Sequence, residues 1–311
     1  MKAAIYFFSG TGNTALIAKT YKKYLNDYET TLCPVRMKKE GKKFSFESFC
    51  NPEEMDLLAF AYPVHGFNSP QVMVNFCKNF PVLKNKKKAF IFKTSGEGLK
   101  FNNYSSQKII KILEKKGISF LSERHYVMPY NMIFRHSPEM VKNEWIYASA
   151  LVRLHCREIR EGKIEKVHTN FLKGWFLPLF RIEWLYARLQ GPAMKVDEKK
   201  CLHCMKCVKN CPMDNISFRD GKFVFGTNCA LCVCCSFNCP TKAISIGLLN
   251  GWRVNGEYKI QETARNSKIE FPVFTEKLKG LKRWAYLGYY KKLDEKLREN
   301  KIELNQESDF I

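Results

Sequence analysis

Eight cysteines occur in two identical patterns, each with three cysteines at three-residue intervals and a fourth that precedes a proline. Three thiolates in one tight loop can bind three irons of one cubane, whereas the fourth thiolate is directed at a second cubane. The spacing therefore predicts two [4Fe–4S] clusters with crossed ligands. The first cluster is assigned Cys201, Cys204, Cys207 and Cys239, and the second, 28 residues further along, Cys229, Cys232, Cys235 and Cys211.

Zinc is the alternative metal for these cysteines, since paired Cys-x2-Cys units also form tetrahedral sites. Zinc does not explain the third cysteine at the same interval in both halves. The chain has 13 cysteines, nine of them between Cys201 and Cys239, which is unsuited to a disulfide framework and predicts a reducing compartment. The remaining ones, Cys33, Cys50, Cys77, Cys156 and Cys234, are predicted to be packed side chains without a redox or ligand role.

A second polar group follows the first apolar run of the chain and consists of Ser9, Gly10, Thr11, Gly12, Asn13 and Thr14. Glycines allow a tight backbone, and hydroxyls, an amide and the first N–H groups of a helix can surround a phosphate. Gly10-x-Gly12-x-x-Ala15 also fits a dinucleotide fingerprint, but that site needs an acidic residue after the second strand, where Cys33–Arg36 offers none. The three hydroxyls favour a single phosphate, as in FMN.

Short apolar runs alternate with helix-like stretches in the first half of the chain, which predicts one α/β domain with a doubly wound parallel sheet. The predicted strands are Ala3–Phe8, Thr31–Arg36, Leu57–Tyr62, Ala89–Thr94 and Ile118–Met128. The predicted helices are Thr14–Tyr28, a segment from Pro70 that stops before Pro81, Asn102–Lys116, and Pro138–Arg160.

The loop S-x-T-G-N-T after the first strand resembles the phosphate loop of flavodoxins, and the doubled cysteine pattern resembles that of bacterial two-cluster ferredoxins. In this order and length the chain resembles the fused flavodoxin–ferredoxin proteins of anaerobic bacteria, over about residues 1–161 and 195–246. The resemblance implies a flavodoxin-like sheet of order 2-1-3-4-5 and a small α+β ferredoxin-like domain.

The resemblance also implies a place for the flavin ring, between the loops after the third and fourth strands. By position these loops contribute Tyr62, Pro63, His65, Gly66 and Phe67, and then Thr94, Ser95 and Gly96. Phe67 or Tyr62 is expected to stack on the ring, His65 to lie near it, and the second loop to bind its pyrimidine edge. The segment Met128–Asn131 is expected to approach the phosphate side.

Four regions are predicted along the chain. They are a flavodoxin-like FMN domain (1–161), a helical aromatic connector (162–196), a two-cluster domain (197–247) and a C-terminal extension (248–311). The connector is expected to pack its aromatics between the domains, with a membrane-surface helix as the alternative. The extension is expected to form an amphipathic helix, Thr275–Asn300, and to end in ten loose residues. Its predicted apolar side is Leu278, Leu281, Trp284, Leu293 and Leu297.

The two cofactors imply electron transfer between FMN, two clusters and a redox partner protein. An FMN-dependent reductase of a small molecule such as a quinone or NAD(P)H is the alternative, and no separate nicotinamide domain is visible. The net charge of +22 falls to about +16 with both clusters and the FMN phosphate bound. This charge is expected to attract an acidic partner or to be a merely solvated basic surface, and an anionic membrane is a weaker alternative.

No nucleic-acid-binding module is found, and the oligomeric state stays open. The apolar start of the chain leads into the polar loop rather than a cleavage site, and no apolar run reaches the length that spans a bilayer. A cytoplasmic location is therefore expected.

Overall fold

The computed structural model describes residues 1–40, 43–46, 50–165, 179, 182–254, 256–271, 279–304 and 309–311. The strands within these residues are, in chain order, β1 (Lys2–Phe7), β2 (Glu29–Pro34), β3 (Met37–Glu40), β4 (Lys43–Phe46), β5 (Leu57–Pro63), β6 (Lys87–Ser95), β7 (Ile118–Val127), β8 (Lys195–Val196), β9 (Ile216–Arg219), β10 (Lys222–Phe225) and β11 (Ile244–Ser245). The helices are α1 (Asn13–Tyr24), α2 (Gln71–Asn79), α3 (Gln107–Glu114), α4 (Pro138–Arg160), α5 (Ile182–Ala193), α6 (Lys206–Lys209), α7 (Cys234–Phe237), α8 (Ile260–Arg265) and α9 (Gly280–Glu299).

The central sheet has five parallel strands in the order β2-β1-β5-β6-β7. Its inner strands are buried on both faces, as a parallel sheet covered by helices requires, and residues 3–7 and 57–62 are continuously apolar for this reason. The order confirms the predicted flavodoxin-like topology, because β5, β6 and β7 are the third, fourth and fifth strands of this sheet along the chain.

Helix boundaries follow from local chemistry. The Ser137 hydroxyl accepts a hydrogen bond from the Met140 N–H at 3.3 Å, and Pro138 occupies the first turn, so α4 begins where it was predicted. The first helix ends at Tyr24 rather than at Tyr28, since Leu25 leaves the helical conformation.

An antiparallel hairpin, β3–β4, lies between the second and third strands of the sheet and was not predicted. Its strands are four residues long and rich in lysine, so their sequence resembles a polar loop. The hairpin reaches the cysteine-rich region: the Met37 N–H donates to the Pro212 carbonyl at 2.8 Å. The Asn228 amide donates to the Met37 sulfur at 3.2 Å and to the Met213 carbonyl at 3.1 Å.

Cys33 and Cys50 form a disulfide that encloses this hairpin. The prediction of two separate packed thiols is therefore wrong for this pair, because chain reversal brings their Cα atoms to 6.8 Å, a separation that sequence spacing does not reveal. Cys77 and Cys156 are fully buried, as predicted, and burial raises the pKa of both thiols.

The C-terminal region completes one side of the core. Tyr286, Tyr290, Leu293 and Leu297 of α9 are buried in the apolar cluster formed with α1 and α4. Trp284 is 62% exposed, which corrects its predicted place on the apolar side. The tail is not loose at its end, since Asp309 is 1% exposed and accepts a hydrogen bond from the Arg153 Nε at 2.8 Å.

Parts of the predicted connector and extension lie outside the described residues. These are Phe171, Trp175, Phe176, Phe180 and Leu278, and the side chains of Trp184 and Leu281. The described end of the connector is helical (α5). Across the described residues, no helix combines the length and apolar character needed to cross a bilayer.

His155 provides a test of this core. It is fully buried in α4, with its Nε2 at 2.6 Å from the Ser122 hydroxyl and its Nδ1 against the Tyr21 hydroxyl. Burial lowers its pKa well below 6.5, and the positive charges of Arg124 and Lys296 lower it further. Below pH 6.5 the unfolded chain therefore binds a proton that the native protein does not, and stability is lost as the pH falls.

We expect this loss to reach about 1.4 kcal/mol for each pH unit below 6.5. Urea unfolding at pH 7 and pH 5.5 checks it, with His155→Gln as the comparison. The variant starts from lower stability but loses less of it between the two pH values. An equal loss in both proteins would contradict a neutral buried His155.

Candidate functional site

A cavity of about 470 Å³ opens at the carboxyl ends of β1, β5 and β6. Loops from three strands converge there, as expected of a doubly wound sheet. The predicted residues that line it are Ser9, Gly10, Thr11, Asn13, Thr14, Pro63, His65, Gly66, Phe67, Thr94, Ser95 and Gly96. Folding therefore brings the three polar loops singled out in the sequence to one place.

The loop between β1 and α1 faces the cavity with the first turn of the helix. N–H groups at this end have no helical partners, and the helix dipole favours a negative charge, so the loop fits a phosphate. Its side chains fix the neighbouring loops: the Asn13 amide donates to the Pro129 carbonyl at 2.8 Å, and the Thr14 and Thr94 hydroxyls are 2.9 Å apart. Gly12 does not line the cavity but supplies a left-handed turn (φ 106°) before α1.

The loop after β5 is held in a tight turn. Gly66 and Phe67 both have positive φ angles, and two backbone hydrogen bonds of 2.8 and 2.9 Å join His65 to Asn68. The Phe67 ring contacts Phe101 edge-on, with 5.9 Å between centroids. Although part of His65 remains accessible, desolvation of its imidazole lowers the pKa to about 4, so the ring is neutral at neutral pH.

Tyr62 does not line the cavity, although the resemblance made it a candidate for stacking on the flavin. It is fully buried between the sheet and α3, with its hydroxyl 3.2 Å from the Ser105 hydroxyl. Because side chains alternate along a strand, Tyr62 points into the helix layer. Of the two aromatic candidates, Phe67 alone lies at the cavity.

A hydrogen-bond network stiffens the loop after β6. The Ser95 hydroxyl donates to the Glu97 carbonyl at 2.5 Å and lies 2.6 Å from the His125 Nε2. The Asn102 amide donates to the Glu97 carboxylate at 2.9 Å, and the Tyr130 hydroxyl donates to the same carboxylate. This network fixes the backbone that faces the cavity.

Position 96 must be a glycine because the Tyr130 ring packs directly against it. A Cβ at position 96 would lie 2.1 Å from the Tyr130 ring, closer than any side chain allows. Tyr130 belongs to the segment Met128–Asn131 that was expected near the flavin phosphate, and its last three residues do line the cavity.

Val64 and Glu97 also line the cavity, within the loops after β5 and β6 that the resemblance placed beside the flavin. Several further lining residues were not predicted, namely Leu99, Asn102, Met132, Ile133, Tyr186, Leu231, Cys232, Val233, Leu249 and Trp252. Leu99, Asn102, Met132 and Ile133 closely follow predicted segments in the chain, whereas the others come from distant segments that only the tertiary fold brings together.

The second cysteine loop forms one wall of the cavity through Leu231, Cys232 and Val233. It touches the phosphate loop directly, because a Cβ added to Gly10 would lie 2.6 Å from the Cys232 carbonyl oxygen and 2.8 Å from its Cβ. The cysteine-rich region is thus seated on the α/β domain at the mouth of the predicted FMN site.

The eight cysteines gather in two groups that match the crossed assignment. Cys201, Cys204, Cys207 and Cys239 line one small cavity, and Cys211, Cys229, Cys232 and Cys235 line another. Cys235 borders both, and Cys234 borders the second. The fourth cysteine of each half therefore lies beside the other half's three.

The two halves also share their backbone geometry. Three non-glycine residues in each half have positive φ angles, at positions 28 residues apart: His203, Met205 and Asp214 (47°, 57° and 46°), and Leu231, Val233 and Lys242 (50°, 51° and 56°). N–H groups point at equivalent sulfurs over 3.3–3.4 Å: His203 at Cys201 and Leu231 at Cys229, then Asn215 at Cys211 and Ala243 at Cys239.

This donor set fits iron–sulfur clusters. N–H groups directed at sulfur stabilise metal-bound thiolates and tune cluster potentials. Burial, with a smaller contribution from nearby Cys211, raises the pKa of the Cys229 thiol to about 11, so a thiolate there requires a positive partner, which iron would supply.

A model of a 4Fe–4S binding domain matches residues 193–216, which include the first cysteine pattern. A search of curated proteins found no match. Similar solved structures include a putative flavoprotein from Bacteroides uniformis, with 17% identity, 40% of this chain and 88% of that chain covered, and a TM-score of 0.32. A flavodoxin from Streptococcus pneumonia has 16% identity and a TM-score of 0.36, with 52% of this chain and 99% of that chain covered. A flavoprotein from Lactobacillus acidophilus in complex with FMN has 14% identity and a TM-score of 0.30, with 40% of this chain and 92% of that chain covered.

The sheet order β2-β1-β5-β6-β7 is the flavodoxin-like order. The chain joins a flavodoxin-like sheet to a 4Fe–4S binding region, which is a fused flavodoxin–ferredoxin architecture.

Proposed function

We propose that this protein transfers electrons between FMN, two [4Fe–4S] clusters and a redox partner protein. The observation that carries the proposal is the contact between Gly10 of the phosphate loop and Cys232 of the second cysteine loop, beside one shared cavity. FMN exchanges one or two electrons and each cluster exchanges one, so neighbouring sites of these kinds form a relay.

The cavity residues divide into two roles. Ser9, Thr11, Thr14, the Asn13 amide and the first N–H groups of α1 would hold the phosphate. Phe67 and His65 on one side, and Thr94, Ser95 and the Gly96 N–H on the other, would hold the ring. The neutral His65 adds no charge to the site, and the network around Glu97 keeps the second loop from moving when the cofactor binds.

The order of the relay follows from the position of each cysteine group. The group with Cys229, Cys232, Cys235 and Cys211 lies next to the cavity. In the other group, Cys204 is exposed and its neighbour Leu202 is 67% exposed. We infer that electrons pass between the cavity and the surface through the second cluster and then the first.

An acidic redox protein is the partner that this surface fits, because the chain carries a net charge of +22 and opposite charges accelerate association. Lys199, Lys200 and Lys206 are exposed in the segment that carries this cysteine, and Lys200 pairs with Asp197 at 3.0 Å.

A second candidate is an FMN-dependent reductase of a small aromatic molecule such as a quinone. Trp252 and Ile133 line the cavity and are 61% and 58% exposed, so apolar side chains remain at its mouth. Turnover of such a molecule by the purified protein without a partner would favour this candidate over the carrier.

Anaerobic purification with quantification of iron, sulfide and flavin tests the proposal. We expect about eight irons, about eight sulfides and about one FMN per chain. Zinc without sulfide would contradict the clusters, and absence of flavin would contradict the assignment of the cavity.

A further inference from the structure

Helix α9 packs against the loop after β6 on the side away from the cavity. The Tyr286 hydroxyl is buried and donates to the Gly96 carbonyl at 2.6 Å, and the Gly98 N–H donates to the Ala285 carbonyl at 3.1 Å. Gly98 has no room for a side chain, since an added Cβ would lie 2.3 Å from the Tyr289 Cβ. A helix from the C-terminal region therefore holds two backbone groups of this loop.

The hydrogen bond from Tyr286 fixes the orientation of the peptide between Gly96 and Glu97. In a trans peptide the C=O and the N–H point in opposite directions. Gly96 and Glu97 line the cavity and Tyr286 does not, so the Glu97 N–H is directed to the cavity side. Among the described residues this N–H has no hydrogen-bond partner.

A buried acid–imidazole pair lies behind Tyr286. The His136 Nε2 is 3.3 Å from the Tyr286 hydroxyl, and its Nδ1 is 2.7 Å from a Glu144 carboxylate oxygen. Both side chains are fully buried, and the His136 N–H of the backbone donates to the Tyr258 hydroxyl at 2.9 Å. The imidazole is therefore held through its backbone and lies in contact with the carboxylate.

This arrangement settles the direction of the hydrogen bonds. Burial raises the pKa of Tyr286 above its usual 10, with a further rise from Glu144. The hydroxyl therefore stays protonated and donates its hydrogen bond to the Gly96 carbonyl. With its own hydrogen directed at Gly96, the Tyr286 oxygen has lone pairs facing the His136 Nε2, 3.3 Å away.

We propose that Tyr286 is a positioning residue that turns the Glu97 N–H toward the cofactor, and that the Glu144–His136 pair orients its hydroxyl. This inference rests on the proposed function, in which the cavity holds FMN. A fixed N–H donor beside a redox group stabilises the electron-rich reduced form more than the oxidised form. Tyr286 is thus expected to raise the midpoint potential of the bound flavin.

Tyr286→Phe and Tyr289→Phe in the full-length protein test this role. Each variant loses one hydroxyl from α9, but the Tyr289 hydroxyl donates to the His125 carbonyl at 2.7 Å and does not line the cavity. We measure FMN affinity by titration of the flavin-free protein and the midpoint potential by anaerobic redox titration. For Tyr286→Phe we expect a dissociation constant about tenfold higher and a more negative potential. For Tyr289→Phe we expect wild-type values of both.

Identical FMN affinity and potential in wild type and Tyr286→Phe would overturn the inference. Equal shifts in both variants would also overturn it, because they would reflect general loosening of α9. If Tyr286→Phe does not fold, Glu144→Leu provides the test, with an expected shift of the same sign and smaller size; an unchanged potential then rejects the chain of hydrogen bonds. A wild-type protein that binds no FMN would instead refute the proposed function.

Discussion

Cys229→Ala is expected to remove one cluster and to stop electron flow between the flavin and every external acceptor that receives electrons from the clusters. Cys229 belongs to the cysteine group beside the cavity, so its loss interrupts the relay at the first step. The side chain itself does not line the cavity, and FMN binding should therefore persist. Iron and sulfide should fall by about half.

Cys204→Ala is the matched control, because it removes a ligand of the other group at the exposed end. Iron should fall by the same fraction, yet the reduced flavin should still exchange electrons with the remaining cluster. Rapid-mixing absorbance records the flavin and cluster signals separately. Flavin-to-cluster exchange that survives in Cys229→Ala and disappears in Cys204→Ala would reverse the proposed order.

Gly10→Ala is expected to separate the phosphate loop from the second cysteine loop. The added methyl would lie 2.6 Å from the Cys232 carbonyl oxygen, a backbone atom that cannot move without shifting the loop. Overpacking of this kind costs about 1–3 kcal/mol. Because electron transfer weakens steeply with distance, exchange between flavin and cluster should slow much more than FMN affinity falls.

Gly162→Ala serves as the comparison in this experiment. Gly162 has a φ angle of 67° and no atom within 4 Å of its added Cβ, so alanine there costs about 1–2 kcal/mol through backbone strain alone. Urea unfolding measures both losses of stability, and rapid mixing measures the exchange rate. Equal exchange rates in the two variants would show that the loop contact has no part in the transfer.

Much of the architecture could be predicted from local patterns. Continuous apolar runs identified the five sheet strands, and the spacing of the cysteines predicted the two groups that the fold brings together. The polar loop after β1 was also predictable as part of the site, because its short polar residues are of the types that surround a phosphate, and it does line the cavity.

The remainder depends on contacts between distant segments. Nothing near Tyr286 in the sequence indicates that its hydroxyl reaches Gly96, 190 residues earlier in the chain. The Cys33–Cys50 pair depended on a hairpin whose charged strands looked like a loop. Tyr62 was misplaced because proximity to the loop in sequence says nothing about which face of the strand a side chain occupies.

The residues with positive φ angles in the cysteine loops affect how this protein reaches its mature form in the cell. His203, Met205 and Asp214, and their counterparts in the second half, hold a conformation that costs about 1 kcal/mol for each side chain. Without iron and sulfide, few interactions compensate the summed conformational cost of these residues, and the loops should leave this conformation. Cluster insertion is then the step that orders these loops, and iron-starved cells should accumulate a chain sensitive to proteases.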